Sequence, residues 1–273
     1  MPLVVCPTPI GNLEDVTLRV LRELSEAEVV LCEDTRRTRV LLGRHGVAAA
    51  RLVSFHRHNE ARRTAELVPE LQAGARVALA SDAGLPGVND PGARLVVEAL
   101  RRGVPVTVLP GPSAVETALV SSGLVGERYT FLGYLPRSES ERARLWEELR
   151  LWSWPAVAFE SPRRLPAALS SLAAVHPDRP AAVCRELTKR FEEVVRGSAA
   201  ELANRFSEPP KGEVTVVVGP AELARGDADG AAEIEALAAV GELVATGIPR
   251  RQATDLVARL TGVARNKLYR ESL

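Results

Sequence analysis

Short apolar runs alternate with amphipathic segments along the first half of the chain. Runs of this length are typical of buried strands, whereas apolar residues recurring on one face at helical spacing predict helices. The pattern predicts five strands, at residues 3–6, 28–32, 52–55, 77–80 and 105–109. It predicts helices at residues 15–26, 60–73 and 91–102, a short helix before the third strand, and another after residue 113. Strands that alternate with helices favour a parallel sheet with helices on its faces.

Each of these strands is followed by a polar or glycine-rich segment. The longest, at residues 76–92, reads RVALASDAGLPGVNDPG and passes from a strand into a glycine-rich loop. Asp90 and Pro91 at its end predict the start of a helix, as N-cap and first helical residue, and Gly103 predicts where that helix ends. Because ligands of open α/β sheets bind outside the carboxyl ends of the strands, we expect a ligand crevice at this edge.

The pattern changes after Glu127, where the strands come with less helix between them. Five further strands are expected, at residues 129–134, 155–159, 181–185, 192–196 and 213–218, and a charged helix at 138–151. The close spacing of the last three strands favours a mixed sheet in a second domain, with residues 123–126 as the hinge. We therefore expect an N-terminal α/β domain at 1–122 with a parallel sheet, and a C-terminal α/β domain at 127–221 with a mixed sheet.

Residues 222–273 form a third region, whose charge changes sign along its length. Residues 222–242 are acidic and rich in alanine, which predicts a linker and a helix, and the remainder is basic. Helices are expected at 249–260 and 264–273, separated by a turn at Thr261 and Gly262. A helix, a glycine turn and a basic helix resemble a helix-turn-helix, which binds nucleic acid. A surface helical hairpin that packs on the body of the protein explains the same pattern.

Acidic and basic residues balance in this chain, since 35 Lys and Arg against 35 Asp and Glu give a net charge of zero. This balance argues against a general polyanion binder, but arginines are concentrated between Glu33 and Arg63. Such a patch neutralises phosphates and positions a nucleic acid without reading its sequence. An arginine-rich surface of the thermophilic type is the alternative. The patch comprises Arg36, Arg37, Arg39, Arg44, Arg51, Arg57, Arg62 and Arg63.

The cysteines Cys6, Cys32 and Cys184 lie far apart within apolar runs, as expected of buried thiols in a reducing compartment. No apolar run is long enough for a membrane span, and the N-terminus lacks the pattern of a signal peptide. We therefore expect a cytoplasmic protein that does not enter a membrane.

Few side chains in the loops after the strands match a known catalytic pattern. The glycine patterns of dinucleotide-binding and phosphate-binding loops are absent, and neither Ser113 nor Cys32 has an evident base. Asp82 is expected to contact a cation or a ribose, or to cap its own loop in an Asx turn. His56 and His58 face one side if the strand continues, and with Asp34 they permit a metal site. Ordinary polar lining of the crevice is the favoured explanation of these residues, and we expect no metal.

Ordered motifs span nearly the whole chain. They read CPTPIGNLEDVTLRVL, LCEDTRRT, SFHRHNE, ALASDAGLPGVNDPG, LPGPSA, FESPRR, CRELTKRFEEVVRG and KGEVTVVVG. Together they resemble the motifs of the tetrapyrrole-methylase-like (class III) S-adenosylmethionine-dependent methyltransferases. The resemblance is strongest to the branch that methylates the 2′-hydroxyl of a cytidine in 16S rRNA, whose tail the C-terminal GVARNKLYR also resembles.

The resemblance implies two α/β domains, S-adenosylmethionine in the cleft between them, and a homodimer. In the family, the cofactor contacts the loop after the first strand, an aspartate loop, a Ser-Ala pair after a proline-glycine turn, and later backbone segments. At the aspartate loop, Ser81-Asp82-Ala83 stands where many relatives have Gly-Asp-Pro. The matching cofactor positions here are Ile10, Asp82, Leu85, Ser113, Ala114, Phe159, Leu187 and Val214.

The resemblance also implies methyl transfer to a ribose, for which the enzyme aligns donor and acceptor. Because a ribose hydroxyl is a weak acid, a group that orients or deprotonates it would assist. His58, Asp34 and Glu33 are candidates for this role. Lys189 is a candidate for stabilising the developing alkoxide or a phosphate. The residues expected to contact RNA are Arg36, Arg37, Arg39, Arg57, Arg265 and Lys267.

The expected activity is therefore 2′-O-methylation of a cytidine in the decoding region of 16S rRNA within the small ribosomal subunit. The arginine patch and the basic tail favour RNA over a small acceptor, and zero net charge suggests docking on a structured ribosomal surface. One alternative is a methyltransferase for a porphyrin-like or corrin-like substrate, which needs a deep closed crevice and has no use for the tail. Another is a non-enzymatic nucleic-acid-binding protein, which leaves the crevice motifs unexplained.

Overall fold

Parallel pairing of short apolar strands forms the first sheet. The computed structural model describes residues 2–221 and 228–272, with side chains for all of these but 228–234. The order of the strands in the sheet is β3-β2-β4-β1-β5, and every hydrogen-bonded pair is parallel, which confirms the predicted sheet. The strands are β1 (Leu3–Cys6), β2 (Val29–Cys32), β3 (Leu52–Ser54), β4 (Val77–Ala80) and β5 (Val106–Val108).

Successive residues of these strands pack on opposite faces of the sheet. Leu3 and Val5 belong to one buried cluster, whereas Val4 and Cys6 belong to another. Since neighbouring residues of a strand point to opposite faces, a continuous apolar run is what a sheet buried on both faces requires. The helices that follow the five strands are α1 (Leu18–Glu26), α2 (Thr35–Arg44), α3 (Glu60–Gln72), α4 (Ala93–Arg101) and α5 (Ala114–Ser122).

Helix α1 starts later than predicted. The Asn12 side chain accepts a hydrogen bond from the Glu14 amide and caps a 3-10 turn at Leu13–Asp15. Thr17 then accepts a hydrogen bond from the Val20 amide and begins α1. The predicted start at residue 15 was wrong because Asn12 and Thr17 satisfy the amides of two separate turns.

Helix α4 also starts later than predicted. It begins at Ala93, because Gly92 has a φ of 135°, outside the helical region. Asp90 and Pro91 are therefore not its N-cap and first helical residue, which corrects that prediction. The helix end is confirmed, since Gly103 adopts the left-handed φ of 74° that a terminal glycine permits.

The second sheet is mixed, as predicted. Its order is β6-β7-β10-β8-β9, with a parallel β6–β7 pair and antiparallel pairs elsewhere. Its strands are β6 (Thr130–Tyr134), β7 (Ala156–Glu160), β8 (Pro180–Arg185), β9 (Glu193–Ser198) and β10 (Val214–Val218). Its helices are α6 (Glu139–Leu149), α7 (Leu165–Val175) and α8 (Ala199–Arg205).

The pattern of apolar residues did not predict α7 and α8. Helix α7 consists almost wholly of small and apolar residues, so it shows no polar face. Helix α8 is too short for a clear periodicity, with seven residues. Its available signal is the capping box in which Ser198 and Glu201 bond each other's backbone amides.

One buried cluster joins the two sheets. Ile10 after β1 and Val115 of α5 pack with Val157, Ala182 and Val217 of the second sheet. Both sheets therefore belong to a single compact unit, made of Met1–Arg150 and Trp154–Pro220. The domain boundaries at 122 and 127 stay predictions.

Leu151–Ser153 and Ala221–Leu273 form a second compact unit with a core of its own. Its helices are α9 (Ala228–Ala245), α10 (Arg250–Thr261) and α11 (Arg265–Glu271). Val240, Val257 and Leu268 bury their side chains in the core that the three helices share. Gly262, with a φ of 76°, makes the predicted turn. The predicted linker falls partly on residues 222–227, which lie outside the described residues. No helix within the described ranges is long and apolar enough to cross a membrane.

Candidate active site

A cavity of about 1050 Å³ lies where the loops after the strands of the first sheet face the second sheet. Its walls include the segments that follow β1, β2, β3, β4 and β5, which is the predicted edge. Residues of β6, β7, β8 and β10 complete it. All eight positions that the resemblance assigned to the cofactor line this cavity: Ile10, Asp82, Leu85, Ser113, Ala114, Phe159, Leu187 and Val214.

Backbone hydrogen bonds fasten the loop after β1 to the loop after β4. Thr8 and Gly84 each donate an amide hydrogen bond to the other's carbonyl oxygen, both at 2.9 Å. The Thr8 hydroxyl donates to the Ser81 carbonyl at 3.0 Å, and the Ser81 hydroxyl donates to the Gly84 carbonyl at 2.9 Å. Gly84 has a φ of 78°, which glycine adopts without a steric cost. The cavity floor is therefore a rigid backbone surface.

Asp82 ties this floor to the loop after β2. Its Oδ1 accepts a hydrogen bond from the Asp34 amide at 2.9 Å, and its Oδ2 lies 3.6 Å from the Arg37 guanidinium. The predicted Asx turn is therefore wrong, because the carboxylate bonds to a different loop. Asp82 still lines the cavity, so contact with a ribose or a cation there stays a prediction.

A strained loop after β8 forms another part of the cavity wall. Glu186 and Thr188 have positive φ values of 51° and 65°, which are unusual for residues with a side chain and for a β-branched one most of all. The Thr188 hydroxyl accepts a hydrogen bond from the Asn12 amide at 3.0 Å. A Cβ atom on Gly11 would lie 2.5 Å from Lys189 Cγ. This close approach sets the buried Leu187 side chain into the cavity wall.

Of the predicted catalytic carboxylates, Glu33 lines the cavity and Asp34 does not. Asp34 is the N-cap of α2, where it accepts hydrogen bonds from the Arg36 side chain and amide. The Arg36 side chain, followed by its amide, lowers the pKa of Asp34 to about 2. A carboxylate held in this way is a weak base, which argues against proton abstraction by Asp34.

His58 and Lys189 also lie off the cavity walls. His58 is exposed, with its ring 5.9 Å from that of His56. Lys189 Nζ donates hydrogen bonds to Glu186 at 2.9 Å and Glu213 at 2.8 Å. Burial is the largest influence on the pKa of Lys189 and lowers it, but these hydrogen bonds outweigh burial and leave the pKa raised. Lys189 is therefore a fixed cation that is already paired.

The predicted RNA-contacting residues fall into two groups. Arg37 and Arg57 line the cavity, and Arg36 and Arg39 are exposed on α2. Arg265 and Lys267 belong to α11 of the second unit, where Arg265 pairs with Asp255. Within the described ranges, no group of three or more histidine, cysteine and acidic residues could hold a metal ion.

Two prominent residues of the cavity were not assigned to it from the sequence. Tyr134 lies at the carboxyl end of β6, 58% exposed, with its ring 5.6 Å from that of Phe159. Asp90 is half-buried in the wall. Burial, reinforced by the charges of Glu33 and Asp82 and opposed by Arg57, raises the pKa of Asp90 to about 6. The Asp-Pro pair had pointed to a helix cap instead, and for Tyr134 the usable signal was its place at a strand end.

Carboxylates outnumber cations on the walls. The lining includes six acidic residues, Glu33, Asp82, Asp90, Glu116, Glu160 and Glu213, against the two arginines Arg37 and Arg57. The remaining surface is largely backbone and apolar side chains, among them Ile10 and Leu187. Such a cavity suits a ligand with an apolar or uncharged body and a positive charge.

Comparison with known proteins agrees with this geometry. A protein of Mesorhizobium japonicum described as ribosomal RNA small subunit methyltransferase I is 43% identical over 99% of this chain and 91% of its own. A protein of Thermotoga maritima with the same description is 42% identical over 79% of this chain and 97% of its own. Uroporphyrin-III C-methyl transferase from Thermus thermophilus, solved in complex with S-adenyl homocysteine, superposes with a TM-score of 0.55 at 20% identity, over 80% of this chain and 96% of its own.

The family model for tetrapyrrole (corrin/porphyrin) methylases matches residues 2–203, which span the first sheet and most of the second. That match covers more than half of the chain, and it includes most of the residues that line the cavity. The chain therefore belongs to the tetrapyrrole (corrin/porphyrin) methylase family.

Proposed function

We propose that this protein is an S-adenosylmethionine-dependent methyltransferase of small-subunit ribosomal RNA. The acceptor in this proposal is the ribose 2′-hydroxyl of a cytidine in the decoding region of 16S rRNA. The observation that carries it is the similarity to the Mesorhizobium rRNA methyltransferase, at 43% identity over 99% of the chain. That similarity extends past the family match at 2–203 into the basic helices of the second unit.

The cavity has the chemistry that S-adenosylmethionine requires. When bound, this cofactor supplies a methyl group activated by a positively charged sulfonium. The acidic wall that includes Asp82 and Glu116 attracts such a charge. Ile10, Phe159, Leu187 and Val214 exclude water from the site, and the interlocked backbone of Thr8 and Gly84 orients a ligand without moving. The residues that would hold the cofactor are Ile10, Asp82, Leu85, Ser113, Ala114, Phe159, Leu187 and Val214.

The same charges weigh against an acidic tetrapyrrole as acceptor. Substrates that carry several carboxylates require cations around them, whereas this wall has six acidic residues and two arginines. For RNA, exposed arginines at the edge neutralise phosphates while a ribose enters between them. We assign this edge to Arg36, Arg37, Arg39 and Arg57, and a second contact to Arg265 and Lys267 of the other unit.

The proposal includes a homodimer in the cytoplasm, where ribosomal RNA is found. Exposed apolar side chains on the first unit, such as Val97, Leu100 and Val108, offer surface for self-association. Light scattering across a concentration series tests the dimer: a mass of one chain at micromolar concentration would contradict it.

Transfer of tritium from labelled S-adenosylmethionine tests the proposed reaction. Small subunits lacking the modification, naked 16S rRNA and a tetrapyrrole precursor are offered in parallel. Label recovered in 2′-O-methylcytidine of the subunit rRNA is the expected result. Label confined to the tetrapyrrole would overturn the assignment of RNA as the substrate, but it would leave the assignment of S-adenosylmethionine as the cofactor intact. No transfer, together with no heat of S-adenosylmethionine binding, would favour a non-enzymatic nucleic-acid-binding protein.

A further inference from the structure

We infer that Asp90 is the catalytic base that takes the proton from the acceptor hydroxyl during methyl transfer. This inference rests on the proposed function and adds to it the group that activates the acceptor. The carboxylates of the cavity wall are the candidates for a general base, and such a base must be free to reach a substrate proton.

Four of the six wall carboxylates are already engaged. Asp82 bonds the Asp34 amide, and Glu213 bonds Lys189. Glu160 Oε1 accepts hydrogen bonds from Arg164 and from the Ser161 amide, both at 2.5 Å, which fixes this carboxylate, and its Oε2 is buried without a hydrogen-bond partner among the described residues. Glu116 accepts hydrogen bonds from Ser113 and from the Tyr129 hydroxyl.

Glu33 and Asp90 remain. Neither side chain forms a hydrogen bond or an ion pair with any residue in the described ranges. They differ in what surrounds them. Asp90 and Tyr134 of β6 both line the cavity, and burial together with the negative charge of Asp90 raises the pKa of the Tyr134 hydroxyl. An acceptor nucleotide held at Tyr134 would therefore lie in the same cavity as the Asp90 carboxylate.

The position of Asp90 is fixed by the preceding residue. Asn89 has a left-handed φ of 59°, and its side chain packs on Gly133, where an added Cβ would lie 3.3 Å from Asn89 Nδ2. The Arg57 guanidinium donates a hydrogen bond to the Asn89 carbonyl oxygen. Contacts with β6 and with the loop after β3 therefore hold the Asp90 backbone from two sides.

The ionisable groups near Asp90 belong to several different loops and to β6. Asp82 lies earlier in the same loop, Glu33 follows β2, Arg57 follows β3, and Tyr134 ends β6. Burial and the two carboxylates raise the pKa of Asp90 to about 6, against the opposing charge of Arg57. A carboxylate with this pKa is ionised at neutral pH and is a stronger base than an ordinary aspartate.

The acceptor oxygen forms a bond to the methyl carbon as the carbon–sulfur bond of the sulfonium donor breaks, and the sulfur keeps that electron pair. The hydroxyl proton passes to the Asp90 carboxylate and from there to water. The donor loses its positive charge, and the proton released to water carries that charge away.

Single-turnover methyl transfer across pH 5 to 9 tests this inference, with small subunits lacking the modification. Wild-type rates are expected to fall below about pH 6, where Asp90 is protonated. Asp90→Asn is expected to lower the rate by about 100-fold or more and to remove this fall, while Asp90→Glu restores part of the rate. Glu33→Gln should move the fall to lower pH, because it removes one of the charges that raise the pKa of Asp90. Glu98→Gln on α4, outside the cavity lining, is the matched control and keeps the wild-type profile.

Two readouts do not depend on turnover. Calorimetry with S-adenosylmethionine should give the same Kd for Asp90→Asn and wild type, and carboxyl NMR of the free enzyme should show a titration near pH 6 that this variant lacks. An Asp90→Asn enzyme with the wild-type rate and pH profile would overturn the inference. A loss of cofactor affinity in Asp90→Asn as large as its loss in rate would also overturn the inference, since Asp90 would then be a binding residue. A wild-type enzyme that methylates no RNA would instead overturn the proposed function, and this inference with it.

Discussion

Glu60 Oε1 lies 2.9 Å from the backbone nitrogen of Gly92 and accepts its hydrogen bond. The same oxygen accepts a second hydrogen bond from the Arg94 amide at 3.3 Å. These amides belong to the first turn of α4, which has no side-chain cap of its own. The first residue of α3 therefore caps α4 and holds the end of the loop that carries Asp90.

Replacement of this capping carboxylate is expected to destabilise the first unit. Glu60→Ala should lower the free energy of unfolding by about 1–2 kcal/mol, the usual cost of losing an N-cap. Glu66→Ala, on the same helix with its exposed carboxylate paired to Arg62 and Arg63, is the control and should cost less than about 0.5 kcal/mol. Urea unfolding measures both, and equal effects would show that Glu60 does not act as a cap.

A methyl group at Gly11 is expected to disturb the cavity wall. In Gly11→Ala the new Cβ would lie 2.5 Å from Lys189 Cγ and 2.9 Å from the Leu187 carbonyl oxygen, so the strained loop must shift. Cofactor affinity should fall by about tenfold or more, measured by calorimetry. Gly43→Ala is the matched control: nothing lies within 4 Å of its Cβ, and inside α2 it should stabilise by up to about 1 kcal/mol. Unchanged affinity in Gly11→Ala would mean that the loop does not shape the cofactor site.

Asp90 is expected to reduce stability at neutral pH. Its folded pKa of about 6 exceeds the ordinary 3.8, so the folded state binds more protons than the unfolded state between these values. Stability therefore falls as the pH rises through this window, and Asp90→Asn should remove the fall. After allowance for partial solvent exposure, the variant should be more stable by about 1 kcal/mol at pH 8, and this advantage should vanish near pH 4. An advantage that persists unchanged at pH 4 would point to packing rather than charge.

Tyr134 is expected to stack on a base of the acceptor RNA. Its ring is exposed at the cavity wall and supported by Phe159. Tyr134→Ala should weaken binding of the small subunit by about 1–3 kcal/mol, whereas Tyr134→Phe keeps the ring and should change Kd by roughly twofold at most. Phe191→Ala removes another exposed ring that does not line the cavity and should leave filter-binding affinity unchanged. Equal losses for Tyr134→Phe and Tyr134→Ala would show that the hydroxyl matters and stacking does not.

Arg39 is expected to contact a phosphate. It is exposed on α2 and forms no ion pair with any residue that the structure describes. Arg39→Ala should lower RNA affinity and reduce the slope of log K against log salt by about 0.7, the value for one phosphate of a single strand. Arg101→Ala, already paired to Glu98 at the far end of α4, should leave the slope unchanged. A slope that stays at the wild-type value in Arg39→Ala would remove this residue from the interface.

Local patterns predicted the sheets because most of their strands are short apolar runs, such as β1, β2, β4 and β10. Helix starts were less predictable, since the cap of α4 comes from Glu60, far away in the sequence. A motif could point to Asp90-Pro91 as a cap, but it could not show that a distant carboxylate had taken that role.

The candidate site also contains residues that could be predicted from the sequence and residues that could not. The eight positions that the resemblance assigned to the cofactor all line the cavity. The roles of the charged side chains could not be predicted in this way, because they depend on distances between loops, which a sequence pattern does not contain. Asp34 and Asp90 are both aspartates in loops after strands, yet a local arginine lowers the pKa of one to about 2 and burial raises that of the other to about 6.

The residues that line the cavity extend from Pro7, near the start of the first unit, to Thr215, near its end. The chain is synthesised from its N-terminus, so all five strands of the first sheet are made before Leu187 and Val214 exist. The cofactor therefore cannot guide the early folding of the nascent chain. It stabilises only the finished unit, by an amount set by the ratio of its concentration to its Kd.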